Sequence, residues 1–98
     1  MKRIVLMCAA GASTSMLVKR MKDAAAKDDY ECSIEAHPVT DAAAYADVDV
    51  ILLGPQVRFQ LAKVRSQVNC PVEAIEMRDY GGMNGEGVLA QARKAMGE

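Results

Sequence analysis

Ninety-eight residues are enough for one hydrophobic core and leave no room for a second. With 51% apolar and 26% charged residues the chain has ordinary globular composition, which excludes intrinsic disorder. A formal charge of −1, 4% aromatics and no Lys/Arg cluster exclude the basic face that nucleic-acid binding needs.

The three cysteines, Cys8, Cys32 and Cys70, are an odd number without CxxC spacing. They define neither a disulfide framework nor a zinc site, and they fit a reduced, cytosolic compartment. Met1-Lys2-Arg3 followed by a mostly apolar run mimics a short signal peptide. Cleavage there would delete the first strand, so the segment is expected to stay. No apolar run approaches the ~20 residues that span a bilayer.

Arg3–Met7 is a continuous apolar run of strand length, as in a central strand buried on both sides. A loop of small residues follows, Cys8-Ala9-Ala10-Gly11-Ala12-Ser13-Thr14-Ser15, with Ser13 a good N-cap. Leu17, Val18, Met21, Ala24 and Ala25 then form one face of a helix that should end near Asp28-Asp29. Glu31–Ala36 alternates as a second strand, which His37-Pro38 should end. Thr40-Asp41 can start a short Ala-rich helix through Tyr45, and Val48–Leu53 is a third strand closed by Gly54-Pro55. Val57, Leu61, Val64 and Val68 make a helical stripe within 56–68, and Pro71–Glu76 reads as a fourth strand. A glycine-rich stretch, Tyr80 to Gly87, precedes a last helix opening at Val88-Leu89, with Ala92 and Met96 facing inward.

Alternating strands and helices favour a small three-layer α/β sandwich: a four-stranded parallel sheet of order 2-1-3-4 with helices on both faces. Ligands of such sheets bind outside the carboxyl ends of the strands, beside the first strand. The loop 8–15, Gly54-Pro55-Gln56 and the segment 77–87 converge there.

The first of these loops suggests anion chemistry. Backbone N–H groups of small residues, together with the positive end of a helix, favour a phosphate, and the same field stabilises a thiolate at Cys8. The plainer reading of Cys8 is a small buried hydrophobe at a strand end. Gly11 suits either a close approach to a ligand or an ordinary strand-to-helix turn. Ser13, Thr14 and Ser15 can donate to phosphate oxygens, and capping by Ser13 is compatible with that.

Neither the dinucleotide fingerprint nor the GK[ST] phosphate loop is present. Tyrosine phosphatases place a similar cysteine in C-x5-R-[ST], where the arginine clamps the phosphate; here Thr14 holds that place. The difference favours carriage of a phosphoryl group over its hydrolysis. A low-molecular-weight phosphatase or arsenate-reductase-like enzyme, and a non-catalytic anion-binding regulatory module, are the alternatives.

His37, the sole histidine, stands at the end of the strand beside the first and is either a base near Cys8 or a turn residue. Asp79 is either a general acid on a loop or a solvated aspartate beside Arg78. Cys32 and Cys70 lie in apolar strand contexts that suit inert thiols.

Together, Cys8-x-x-Gly11-x-Ser13-Thr14-Ser15-x-Leu17-Val18, Leu52-Leu53-Gly54-Pro55-Gln56 and Tyr80-Gly81-x-x-x-Gly85-x-Gly87-Val88-Leu89 resemble the IIB components of the bacterial sugar phosphotransferase system, lactose/cellobiose type. The resemblance spans 1–98 as one IIB domain. It implies that Cys8 is the phosphorylated nucleophile, that Ala9, Ala10, Gly11, Ala12, Ser13, Thr14 and Ser15 form the phosphate cradle, and that Gln56 belongs to a neighbouring loop. It also implies a IIA phosphohistidine protein as donor and a membrane-embedded IIC permease holding the sugar, a disaccharide or other β-glycoside, as acceptor. No cofactor or metal is implied, and the protein is expected to be cytoplasmic and peripheral to the membrane through IIC. Two departures stand out: Ala12 where such loops often carry methionine, and His37 where no histidine is expected.

Overall fold

The computed structural model describes residues 1–9 and 14–98. Its sheet consists of β1 (Lys2–Cys8), β2 (Cys32–Pro38), β3 (Val50–Leu53) and β4 (Val72–Ala74), all parallel and ordered β2-β1-β3-β4. The helices are α1 (Ser15–Lys27), α2 (Leu61–Gln67), α3 (Met77–Gly81) and α4 (Gly85–Ala95), with 3-10 segments at Val39–Tyr45 and Pro55–Gln60.

The two central strands are apolar on both faces, and alternation divides their side chains between two cores. Ile4, Leu6, Val50 and Leu52 meet Leu17 and Met21 of α1 and Val88, Leu89 and Ala92 of α4. Val5, Met7, Ile51 and Leu53 meet Val39, Ala42, Val57 and Val64 on the other side. This is the three-layer sandwich and strand order expected from the sequence.

Helix α1 ends where expected, in a Schellman arrangement. Tyr30 N donates to Ala25 O at 2.8 Å and Asp29 N to Ala26 O at 3.2 Å, with Asp29 left-handed at φ 53°. At its start the N-cap position is Thr14, whose side chain makes no capping hydrogen bond. Ser13, expected as the cap, lies outside the described residues.

Several boundaries differ from expectation: β3 starts at Val50, not at the expected Val48, and β4 spans Val72–Ala74, shorter than the expected Pro71–Glu76. β2 ends at Pro38, as expected, but takes in His37 and Pro38 beyond Ala36, with Pro38 paired with Cys8 across the ladder. Pro38 is at the last position of an edge strand, where its missing N–H costs no ladder bond. The short alanine-rich helix expected through Tyr45 is present as a 3-10 helix, Val39–Tyr45. The stripe 56–68 is split, because Val57 (φ −117°, ψ 15°) kinks the chain before α2.

The glycine-rich stretch is also more regular than it reads. Met77–Gly81 forms one helical turn, and α4 starts at Gly85, ahead of Val88. Asn84 explains the earlier start: its side-chain oxygen accepts from Gly87 N at 3.1 Å, while its Nδ2 donates to Asp79 Oδ1 at 3.2 Å. Among the described residues no helix is long and apolar enough to cross a membrane.

Candidate functional site

Cys8 is the last residue of the central strand, and even-numbered alternation turns it toward the α1/α4 side of the sheet. Only 1% of it is exposed. Its Sγ lies 3.7 Å from the hydroxyl oxygen of Thr14, itself fully buried at the entrance to α1. No acidic residue occupies the first turn of that helix, so its positive end is uncompensated by a side-chain charge. The residue in the position of the phosphatase arginine therefore offers the sulfur a neutral hydroxyl.

The segment leaving β3 forms the adjoining wall. Leu53 pairs with Met7, and Gly54 N donates to the Met7 carbonyl at 2.8 Å, which carries the chain directly past Cys8. A Cβ on Gly54 would sit 2.9 Å from Gln56 Oε1 and 3.7 Å from the Cys8 Cβ. The φ of Gly54, −60°, is open to any residue, and a Cβ there would displace only the flexible end of Gln56, the Cys8 and Met7 contacts being ordinary van der Waals distances. Gln56 Nε2 in turn donates to the Tyr80 hydroxyl at 3.2 Å, tying the second converging segment to the third.

Of the expected cradle, Ala9, Thr14 and Ser15 are described, whereas Ala10, Gly11, Ala12 and Ser13 lie outside the described residues. Cys8, Thr14, Gln56 and Tyr80 are brought to one end of the sheet by β1, α1, the Pro55–Gln60 turn and α3.

His37 does not join them. It pairs with Met7 in the sheet, and its ring stacks on Tyr45 with centroids 4.1 Å apart. Its Nδ1 is 3.0 Å from the Tyr45 hydroxyl and its Nε2 is 2.9 Å from Glu35 Oε1. This cluster is on the Met7 face of the sheet, opposite the Cys8 face, so a role as base for Cys8 is ruled out by geometry. Arg3 extends the cluster through Glu35 and holds its carboxyl below the ordinary value, with His37 adding to the effect.

Asp79 is likewise occupied: it accepts from Asn84 and braces the α3–α4 junction. Cys32 and Cys70 are half-buried, and burial pushes both thiols up, away from the thiolate form. Among the described residues no three His, Cys, Asp or Glu side chains are grouped to hold a metal ion. The contact that sequence reasoning missed is Gln56–Tyr80. Its only linear trace is a polar residue two positions after the strand-ending glycine.

Comparison with known proteins agrees with this geometry. The family described as PTS system, Lactose/Cellobiose specific IIB subunit matches residues 3–91. Relatives include the galactose-specific EIIB component of Lactococcus lactis subsp. cremoris, 41% identical over 97% of this chain and 96% of its own. The oligo-beta-mannoside-specific EIIB component of Bacillus subtilis is 39% identical over 98% and 97%.

Among solved structures, the cellobiose-specific IIB protein of Borrelia burgdorferi superposes with a TM-score of 0.82 at 41% identity, covering 98% of this chain and 92% of that one. The lactose-specific IIB domain of Streptococcus pneumoniae gives 0.83 over 96% of both chains at 14% identity, a likeness of fold. Neither a phosphatase nor a regulatory module is favoured by these matches.

Proposed function

The chain belongs to the lactose/cellobiose-specific IIB subunits of the sugar phosphotransferase system, a family of phosphotransferases, and on that premise we propose that Cys8 carries the phosphoryl group. The observation that supports this most directly is the position of Cys8 Sγ, at the carboxyl end of the central strand and 3.7 Å from the Thr14 hydroxyl at the head of α1. An anion on that sulfur faces the positive helix end, with Ala9 to Ser15 as its cradle.

The donor is a phosphohistidine on a IIA protein. The Cys8 thiolate attacks phosphorus in line; the P–S bond forms as the P–N bond breaks, and the imidazole leaves with the electron pair. In the second step a sugar hydroxyl held by a membrane IIC permease attacks, the P–S bond breaks, and the hydroxyl proton is released as the thiolate returns. The transition state is loose and its charge is spread over the phosphoryl oxygens, so positioned N–H and O–H donors suffice to stabilise it. Without the arginine that stabilises the transferring group in phosphatases, the loop is poorly equipped for rapid hydrolysis, and hydroxyl and amide donors leave the phosphate transferable.

Residues 1–98 act as one IIB unit, at the cytoplasmic side of the membrane through IIC. The sugar is a disaccharide or other β-glycoside, the class to which the cellobiose- and oligo-beta-mannoside-specific relatives point. The test is mass spectrometry of the intact protein after incubation with phosphorylated IIA. One phosphate is expected on wild type and none on Cys8→Ser. Unmodified wild type in the presence of a competent donor, or full modification of Cys8→Ser, refutes the assignment.

A further inference from the structure

Resting on the phosphocysteine role of Cys8, we propose that Thr14 is a catalytic residue that acts on the sulfur itself. Its hydroxyl donates to Cys8 Sγ while the sulfur carries charge, before the phosphoryl group arrives and again as it leaves. The two side chains are already together: Oγ1 lies 3.7 Å from Sγ, with Thr14 fully buried and Cys8 only 1% exposed. A thiolate at this depth gains little from bulk water, so its charge has to be met by donors of the protein.

The direction of this hydrogen bond follows from the state of the sulfur. With Cys8 protonated, either group can donate. A thiolate has no hydrogen, so the contact survives ionisation only with the Thr14 O–H donating to sulfur, where it becomes charge-assisted. Thr14 therefore favours the nucleophilic form over the thiol. The gain in thiolate outweighs the loss in its reactivity: on the Brønsted slope for thiols, a rise of about tenfold in population costs only about threefold in nucleophilicity.

The chain holds the threonine for this task. Thr14 occupies the N-cap position of α1, where a threonine oxygen commonly accepts from an amide of the first turn. Here its backbone is already helical (φ −93°, ψ −8°) and its side chain makes no capping hydrogen bond. The hydroxyl is turned back to the end of β1 instead. Branching at Cβ stiffens χ1 and fixes the oxygen against the sulfur. In the hand-over to the sugar the P–S bond breaks and its electron pair stays on sulfur. No proton leaves Thr14; its hydroxyl meets the charge as it develops there. An arginine at this position would address the phosphoryl oxygens, whereas the hydroxyl addresses the leaving atom.

Two measurements on the full chain test the proposal. Iodoacetamide alkylation across a pH series, followed by mass spectrometry of the Cys8 peptide, reads the thiolate without any partner. Thr14→Val removes the hydroxyl at nearly constant shape; it is expected to displace the alkylation profile toward higher pH and to slow alkylation near neutral pH about threefold. Rapid-quench phosphorylation at a series of phosphorylated IIA concentrations reads the transfer. A loose transition state depends weakly on nucleophilicity, so the saturating rate should follow the thiolate population and fall about tenfold, with the half-saturating IIA concentration nearly unchanged. Return of the phosphoryl group from Cys8 to IIA, which breaks the P–S bond, should slow as well.

Thr14→Ser keeps the hydroxyl and should stay close to wild type in both assays. Matching thermal unfolding of the variants separates a local effect from misfolding, and Thr14→Ala repeats the reading in a second background. A wild-type alkylation profile in Thr14→Val overturns the assignment even where phosphorylation slows, because the hydroxyl then serves the phosphoryl oxygens alone. Thr14→Ser as slow as Thr14→Val overturns it too, since the loss then follows the methyl group and not the hydroxyl. Wild type that takes no phosphate overturns the carrier reading itself, an outcome kept distinct because the alkylation arm needs no donor.

Discussion

Gly85 opens α4 at its crossing with α1 and is buried there. A Cβ at this position would lie under 3 Å from the backbone carbon, the carbonyl oxygen and the Cβ of Arg20. Two of those atoms are backbone of a 13-residue helix packed on the sheet, so neither can move aside as a flexible side chain would. Gly85→Ala must therefore push α4 away from α1 and loosen the contacts of Val88, Leu89 and Ala92. Overpacking of this kind costs about 1–3 kcal/mol. Against it stands the helix preference of Ala over Gly, at most ~1 kcal/mol and smaller at the first helical position.

The net expectation is a destabilisation of about 1–2 kcal/mol, or a fall in Tm of roughly 5–15 °C for a domain of this size. Urea unfolding followed by far-ultraviolet circular dichroism reads it as a lower midpoint with an unchanged slope. Gly81→Ala is the internal control, since nothing lies within 4 Å of a Cβ there. It should be neutral or slightly stabilising. A Gly85→Ala protein as stable as wild type would refute the rigid α1–α4 contact inferred here.

Two further outcomes concern titration. The Arg3 guanidinium, and then His37, hold the Glu35 carboxyl below its ordinary value of 4.5. A depressed carboxylate stabilises the fold above its unfolded-state pKa, and that contribution disappears as pH falls through the folded-state value. Glu35→Gln should therefore flatten the loss of stability below about pH 4.5, measured as urea midpoints at stepped pH; a curve parallel to wild type contradicts this. Burial first, and then its hydrogen bond to Glu98, push Tyr30 up to about 12 from 10.0. A raised acid stabilises the fold below its unfolded-state value, so stability should decline as pH climbs from about 10 toward 12. Phenolate absorbance should show a late-titrating tyrosine that is lost in Tyr30→Phe and moves earlier in Glu98→Gln, and a late phase unchanged in both variants excludes the contact.

Much of the fold was legible because its signals are local. The apolar runs at Ile4–Met7 and Val50–Leu53 have no polar face, so they can only be central strands. The stripe Leu17, Val18, Met21, Ala24, Ala25 is the buried face of α1 without exception. Where expectation failed, a contact distant in sequence or a cap outweighed the pattern. Asn84 starts α4 within a run that its glycines mark as loop, and Val57 breaks a stripe whose periodicity continues through it. β2 stops at Pro38 as expected, the ladder reaching its last residue because an edge position needs no N–H from it.

At the site, the strand, the small-residue loop and the missing arginine are what direct the sequence reading to Cys8 and to phosphate carriage over hydrolysis, the assignment proposed above. These are properties of residue type and spacing, which a linear chain states directly. Sheet order and face decided the rest. Residue 37 neighbours the site in the ladder, yet strand alternation turns its ring to the opposite side, into a cluster with Arg3, Glu35 and Tyr45. Gln56 and Tyr80, 24 residues apart, meet only because β3 and β4 run side by side and release their chains at the same edge. Such pairings depend on register and on which face a side chain leaves, and no periodicity within either segment encodes them.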